Sequence, residues 1–226
     1  MFLGHYAVAL GAKRATPNTS LGMLVMASQF IDLLWPVLLL AGLEHVRIDP
    51  GNTVVTPLDF YDYPISHSLV GVVLWGLVVG GIYFALRRSW MSALVVGLAV
   101  VSHWVLDLVV HRPDLPLNVV GDARVGLGGW NSLAVTLFLE LGLLAGGAFL
   151  YTRGTKAKDR IGSYGLGGLL VVLVGIYAAN VFGPPPPDAG MIGVAGNASW
   201  LFVLWAAWVD RHRQPTHRIA DGAPRS

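Results

Sequence analysis

Long apolar segments with almost no charged residues dominate this sequence, and they restrict what the chain can fold into. Six segments approach or exceed the roughly 20 residues that cross the hydrocarbon core of a bilayer, at residues 19–43, 65–86, 90–111, 129–152, 161–183 and 193–210. Backbone polar groups in lipid must be paired within their own segment, so each is predicted to be a helix. A shorter segment, residues 2–12, is expected either to lie at the interface or to enter the bundle as a half-helix. The predicted fold is an all-α polytopic membrane bundle of six transmembrane helices plus that short N-terminal half-helix.

The composition excludes several other classes of protein. Only 12% of the residues are charged, whereas a soluble domain has about a quarter. The chain has no cysteine, which excludes disulfides, thiolate metal sites and cysteine nucleophiles, so any metal must be bound by His, Asp or Glu. The net charge of +2 comes from dispersed basic residues, and nucleic acid is therefore not an expected partner. Membrane lipid is the expected environment.

Basic residues alternate between the two sides of the predicted spans. Only Arg47, Arg112 and Arg124 fall in one set of loops, together with most of the acidic loop residues. The other twelve of the 15 fall on the opposite side: Lys13, Arg14, Arg87, Arg88, Arg153, Lys156, Lys158, Arg160, Arg211, Arg213, Arg218 and Arg225. The positive-inside rule then places the C-terminus in the cytoplasm. We expect one transmembrane domain over residues 1–212, with residues 213–226 as a disordered cytoplasmic tail.

A few ionisable residues lie where the sequence should be apolar. Inserting one deep in a span costs about 2.5–3.5 kcal/mol on insertion scales, so each needs a partner or a function. The residues within spans are His5, Asp32, His103, Asp107 and Glu140, and His67 and His111 lie near the outer ends of their helices.

The most informative pattern is His103, Asp107 and His111, which recur every fourth residue. Such residues lie along one face of a helix, the arrangement by which one helix offers two ligands to a metal. The alternative is that Asp107 only accepts hydrogen bonds from histidine and joins this helix to a neighbour. Burying a bare carboxylate for packing alone is costly, which favours ligation.

Two further residues are predicted to reach the same depth. His67 follows Pro64 at a helix start, where Ser66 or Ser68 can cap the helix. Asp32 precedes Pro36, which frees the carbonyl of Asp32 and is expected to bend the helix there. At about 1.5 Å per residue from the cytoplasmic ends, His67, Asp107, His103 and Asp32 lie about 30, 27, 21 and 18 Å along their helices, within one outer layer.

The remaining candidates are expected to surround this layer. His5 reaches it only if residues 2–12 enter the membrane. Glu140 is interpreted either as a partner of the ligands or as a contact between helices. Ser66, Ser68, His111 and Glu140 are accordingly predicted to support the ligands rather than to bind the metal.

Four short motifs occur in an order that resembles the bacterial membrane-bound metal-dependent hydrolases. They are Gly4-His5, Asp32 before a proline, Ser66-His67-Ser68, and Ser102-His103 followed by Asp107. The resemblance covers roughly residues 1–116, and implies a metal-dependent hydrolase of the bacterial inner membrane. The chain departs from the family pattern in having one aspartate at Asp32 rather than two, Ser66 in place of threonine, and no arginine before His67.

Together these observations predict a metal-dependent hydrolase with a site in the outer half of the bilayer. The metal, zinc or else manganese or iron, is expected to be bound by His5, Asp32, His67, His103 and Asp107. Asp32 and Asp107 are the predicted catalytic residues, with Asp32 as ligand or general base. The location favours a lipid-borne ester or phosphoester as substrate.

Three other functions fit parts of the pattern. Clusters of His and Asp in membranes also serve transporters and proton relays. Paired histidines such as His67 and His103 or His111 bind haem in some proteins. A structural membrane protein with an inactive site is the third. The sequence leaves the oligomeric state open.

The topology can be tested with reporter fusions. A reporter fused after Arg213 should report the cytoplasm, and one inserted within residues 50–56 should report the outer side, because the basic residues divide twelve to three between the two sides. Equal signals from the two fusions would contradict the predicted spans.

Overall fold

Ten helices account for most of residues 1–216, the part of the chain described in the computed structural model. In chain order they are α1 (Leu3–Ala12), α2 (Leu21–Ser28), α3 (Phe30–Leu40), α4 (Pro64–His67), α5 (Leu69–Arg87), α6 (Trp90–Val110), α7 (Leu133–Gly154), α8 (Arg160–Phe182), α9 (Ala189–Asn197) and α10 (Trp200–Arg211). Helices α5, α6, α7, α8 and the segment formed by α9 and α10 are each long and apolar enough to cross a membrane. Helices α2 and α3 form a sixth candidate if the pair, bent by 55°, is one span. The fold is thus a helical bundle with five or six candidate membrane spans.

The bend in the first predicted span lies elsewhere than expected. We predicted a kink at Pro36, but the chain turns at Gln29, which has φ −96° and ψ 1° between α2 and α3. Helix α3 continues through Pro36, whose ring packs against α9 at Gly196, where an added Cβ would lie 2.5 Å from Pro36 Cγ. At this bend, the carbonyl of Ser28 accepts a hydrogen bond from the ring of His103.

Short strands connect the helices outside the spans. In the described chain they form three two-stranded antiparallel sheets: β1 (His45–Ile48) with β2 (Leu58–Asp62), β3 (Leu115–Pro116) with β4 (Arg124–Val125), and β5 (Thr155–Ala157) with β6 (Arg213–Pro215). Arg112, just after α6, donates hydrogen bonds to Asp59 and Asn52. This contact fixes the β1–β2 hairpin over the end of the bundle where α6 terminates.

The third sheet changes the predicted boundary of the tail. We expected residue 213 to begin a disordered segment, but Lys156 pairs with Gln214 and Ala157 with Arg213. Thr216 continues this contact, since its backbone N–H donates to the carbonyl of Gly154 at 2.9 Å. Residues 217–226 of the predicted tail lie outside the described residues.

Helix α1 packs inside the bundle. Most of its residues are buried, and it packs mainly against α7. Gly147 of α7 makes this close approach possible: a Cβ there would lie 2.5 Å from the carbonyl oxygen of Ala7. Gly142 and Gly146 of the same helix make no such contact, since an added Cβ at either position would meet nothing within 4 Å. Gly147 therefore faces α1, whereas Gly146, the residue before it, does not.

Substitution of these neighbouring glycines should have opposite effects on stability. Gly147→Ala should lower the free energy of unfolding by about 1–3 kcal/mol, because its Cβ meets the backbone of α1. Gly146→Ala should be neutral or stabilising by up to about 1 kcal/mol, because alanine favours the helix and the space is open. Thermal unfolding of the two purified variants checks this, and equal stability would contradict the packing of α1 on α7.

Candidate metal centre

Five of the ionisable side chains singled out in the sequence meet at one place in the bundle. They come from four helices: His5 from α1, Asp32 from α3, His67 from α4, and His103 and Asp107 from α6. His5, His103 and Asp107 each offer one ligand atom within 4.8 Å of the others, and so do Asp32, His67 and His103. The two groups share His103 and form a single cluster. Four of its members are fully buried, and only the Asp32 side chain is partly exposed, at 31%.

The distances between these atoms exceed most hydrogen bonds and match the spacing of ligands around an ion. The Nε2 atom of His103 lies 3.5 Å from Asp32 Oδ1 and 3.2 Å from Asp107 Oδ2. The Nε2 atom of His67 lies 3.6 and 3.9 Å from the same two oxygens. Two atoms bound to one zinc ion at about 2.0–2.1 Å are separated by about 3.3 Å at the tetrahedral angle. Each carboxylate therefore lies at ligand-like spacing from the imidazole nitrogens, in two groups of three that meet at His103.

Hydrogen bonds on the far side of each ring orient two of the histidines. The Nδ1 atom of His103 lies 3.0 Å from the Ser28 carbonyl oxygen, which can only accept, so Nδ1 carries the proton. The Nδ1 atom of His67 lies 2.7 Å from Ser66 Oγ, and this hydroxyl donates to Glu44 Oε2 at 2.6 Å. In their neutral form both rings therefore present an unprotonated Nε2 to the cluster, the form that binds metals.

Glu44 is a member of this arrangement that the sequence did not reveal. It follows α3 in what reads as an exposed outer loop, yet it is buried and also accepts the backbone N–H of Ser66 at 2.7 Å. Gly42, with φ +67°, ends α3 and turns the chain back, and Leu43 N–H then donates to the Leu38 carbonyl. Burial raises the pKa of Glu44, and the two hydrogen bonds from Ser66 oppose that shift because they favour the ionised carboxylate.

Glu140 holds the start of the helix that carries His5. Its two oxygens accept the backbone N–H groups of Phe2 at 2.8 Å and Gly4 at 2.9 Å. These are donors that the first turn of a helix leaves unpaired. The sequence left the role of Glu140 open, and the structure gives it this capping contact with α1.

His5 itself packs face to face on His103, with ring centroids 3.7 Å apart. Its Nε2 atom lies 3.2 Å from Asp107 Oδ1, and the amino group of Met1 contacts the same oxygen. Asp107 thus faces His5 with one oxygen, and faces His67 and His103 with the other.

The other predicted supporting residues lie at the edge of the cluster. His111 follows the last residue of α6, and its Nδ1 atom donates to Asp114 Oδ1 at 2.9 Å. Its Nε2 atom lies 3.9 Å from Asp107 Oδ2. Ser68 accepts the backbone N–H of Gly71 and so caps α5. Of the two serines beside His67, Ser66 orients the ring and Ser68 begins the next helix.

Buried nitrogen atoms in the cluster lack hydrogen-bond partners within the described part of the chain. They are both ring nitrogens of His5 and the Nε2 atom of His103. An unpaired buried polar atom costs about 1–3 kcal/mol, so it calls for a partner. A divalent cation beside these rings and the carboxylates would satisfy the Nε2 atom of His103 and one ring nitrogen of His5, and the donor set fits such an ion.

A cavity of about 180 Å³ opens onto the cluster. Asp32, His67 and Asp107 lie on its wall, and aromatic rings of Trp35, Phe60 and Trp130 form much of the remainder. Tyr177 and Asn180 of α8 also contribute, although no sequence signal linked α8 to the site. The cluster is therefore accessible from a small, largely aromatic space.

Comparison with known proteins adds no assignment. The chain matches no protein-family model, and neither a curated protein nor a solved structure shows significant similarity to it. The resemblance to membrane-bound metal-dependent hydrolases therefore depends on the short motifs alone.

The serines on either side of His67 provide a matched test of this geometry. Ser66→Ala should weaken Zn²⁺ binding about 10–100-fold, because His67 loses the group that orients its ring. Ser68→Ala should leave Zn²⁺ affinity unchanged and lower stability by about 1 kcal/mol, because α5 loses its cap.

Competition with a chromophoric chelator measures affinity in both variants, and thermal unfolding measures stability. Equal Zn²⁺ affinities in the two variants would contradict the role assigned to Ser66.

Proposed function

We propose that the protein is a membrane-embedded metal-dependent hydrolase whose site binds divalent metal. The observation that supports this proposal is the convergence of three imidazoles and two carboxylates at ligand-like distances inside an apolar bundle. Burying a carboxylate is costly unless positive charge compensates it, and the amino group of Met1 contacts only Oδ1 of Asp107, not Oδ2 or Asp32. The proposed ligands are His5, Asp32, His67, His103 and Asp107.

The mixed nitrogen and oxygen donors suit zinc first, with manganese or iron as alternatives. A bound ion of this kind would lower the pKa of a water molecule toward neutrality and polarise the oxygen of a scissile ester. The chain supplies the geometry: Ser28 and Ser66 fix the two imidazoles, and Asp107 of α6 contributes a buried carboxylate.

Asp32 is the carboxylate in the best position to exchange protons with a substrate. It lines the cavity, and its side chain is the only one of the five that is substantially exposed. Its Oδ1 atom lies about equally far from His67 and His103, at 3.6 and 3.5 Å. From this position Asp32 serves as a ligand, or accepts the proton of the attacking water as general base.

The cavity suggests the substrate class. Its volume of about 180 Å³ is below the roughly 300 Å³ at which pockets for drug-sized ligands begin, so it accommodates a headgroup-sized moiety but no acyl chain. Aromatic walls, together with a lining shared by the helices and by Val55, Thr56 and Leu58 of the β1–β2 hairpin, favour a substrate whose polar part lies at the membrane boundary. A lipid-borne ester or phosphoester meets both conditions.

The haem alternative fits the geometry poorly. A haem between two axial histidines requires its flat ring to lie between their Nε2 atoms. Here both His67 and His103 direct Nε2 toward the same carboxylates, and their ring centroids are 5.5 Å apart. No specific contact in the cluster favours a transporter over a hydrolase.

Two aspartate variants test the proposal. Asp107→Asn should reduce bound metal about tenfold or more, because the amide removes a buried negative charge while keeping the shape. Asp32→Asn should lose hydrolysis of a generic phosphoester. If it also loses metal, Asp32 is a ligand; if it keeps the metal, Asp32 is the general base. Elemental analysis and turnover on the same preparations provide both measurements.

Asp159→Asn is the matched control, since Asp159 is an exposed carboxylate that pairs with His212 at 2.7 Å and lies outside the cluster, in the loop before α8. It should keep both metal and activity. Stoichiometric metal in Asp107→Asn would show that this carboxylate only joins helices, and wild-type protein without bound metal would overturn the proposed function.

A further inference from the structure

A second and larger cavity lies among the ends of helices that the basic residues predict to be cytoplasmic. It has a volume of about 680 Å³ and is built from the segment after α1, the end of α5, and the β5–β6 sheet that follows α7 and α10. Lys13, Arg87 and Arg213 contribute three cations to its lining, against the single carboxylate of Asp210. The lining therefore carries about two excess positive charges.

The carboxylate of Asp210 is already neutralised by groups of the protein. Its Oδ2 atom accepts Lys13 Nζ at 2.7 Å and the backbone N–H of Leu21 at 3.0 Å. Its Oδ1 atom accepts the hydroxyl of Tyr151 at 2.9 Å. Asp210 and Lys13 thus form an internal pair, and in the described chain the two arginines are left without a carboxylate partner.

Arg213 is a buried cation whose protein partners are all uncharged. Its guanidinium donates to the hydroxyl and carbonyl of Thr155, at 2.9 and 3.2 Å, and to the Gly162 carbonyl at 2.6 Å. It also lies over the ring of Tyr151, 5.2 Å from the centroid. Within residues 1–216, neither Arg213 nor Arg87 makes an ion pair with a carboxylate. A fixed, buried guanidinium beside an open cavity is a charge for which the described chain supplies no counter-ion.

We propose that this cavity binds a phosphate group. Guanidinium groups match phosphate oxygens in geometry and charge, and Arg213 is held rigidly by its three hydrogen bonds. The volume lies within the range of about 300–1,000 Å³ found for small-molecule sites. Basic pockets between helices at the cytoplasmic boundary are also where anionic lipid headgroups bind. The same chemistry suits the phosphate of such a headgroup or free inorganic phosphate.

Arg87 and its neighbour Arg88 allow a controlled test on the full-length protein in detergent. Both are exposed, but only Arg87 lines the cavity. Short-chain phosphatidylglycerol should raise the thermal unfolding temperature of the wild-type protein more than phosphatidylcholine of equal chain length does. Arg87→Gln should weaken this apparent affinity about fivefold, the effect of about one basic residue at a membrane surface, and Arg88→Gln should leave it unchanged.

The same titrations with inorganic phosphate, against chloride at equal ionic strength, identify the source. If only the lipid raises the unfolding temperature in an Arg87-dependent way, the ligand is a lipid headgroup. If inorganic phosphate also does so, the cavity is a site for free phosphate. No shift with either probe would overturn the proposal. Equal weakening in Arg87→Gln and Arg88→Gln would also overturn it, because binding would then reflect the general basic surface rather than the cavity.

Discussion

Burial of Asp107 in the middle of an apolar bundle is the constraint on which the rest of the site depends. A carboxylate with almost no exposure cannot be hydrated, so the surrounding helices must supply positive charge or hydrogen-bond donors. The amino group of Met1 and the rings of His5, His67 and His103 surround it, and they arrive on three different helices. The positions of α1, α4 and α6 are thus coupled to one another through a single side chain.

The bend at Gln29 shows how backbone geometry serves this cluster. A straight helix over residues 21–40 would use the Ser28 carbonyl within its own hydrogen-bond ladder. The bend makes that carbonyl available to His103 Nδ1, which fixes both the proton and the ring orientation. The same change of direction places Asp32, three residues later, against the Nε2 atoms of His67 and His103. One irregular residue therefore positions an acceptor behind the ring and a carboxylate in front of it.

Much of this architecture was predictable because it depends on local patterns. Hydropathy located the five long apolar helices that are candidate spans, and the four-residue spacing of His103 and Asp107 placed both side chains in the cluster. The features that sequence analysis missed depend on contacts between distant segments. Glu44 is buried only because Gly42 turns the chain back toward Ser66, and β6 forms only because β5 lies 58 residues earlier in the chain beside it. Gly147 and Gly146 are equivalent in the sequence, and only the position of α1 distinguishes them.

Helix α1 explains why the motifs in residues 1–116 are not sufficient to build the cluster. With 10 residues it is about 15 Å long, too short to be held by spanning the bilayer. Carboxylates from the second half of the chain fix both of its ends: Glu140 of α7 caps its first turn, and Asp210 of α10 pairs with Lys13 just after its last. Neither carboxylate touches the proposed ligands directly, yet both determine where His5 lies. The later helices therefore act on the site by holding α1, which accounts for acidic residues in spans that contribute no ligand of their own.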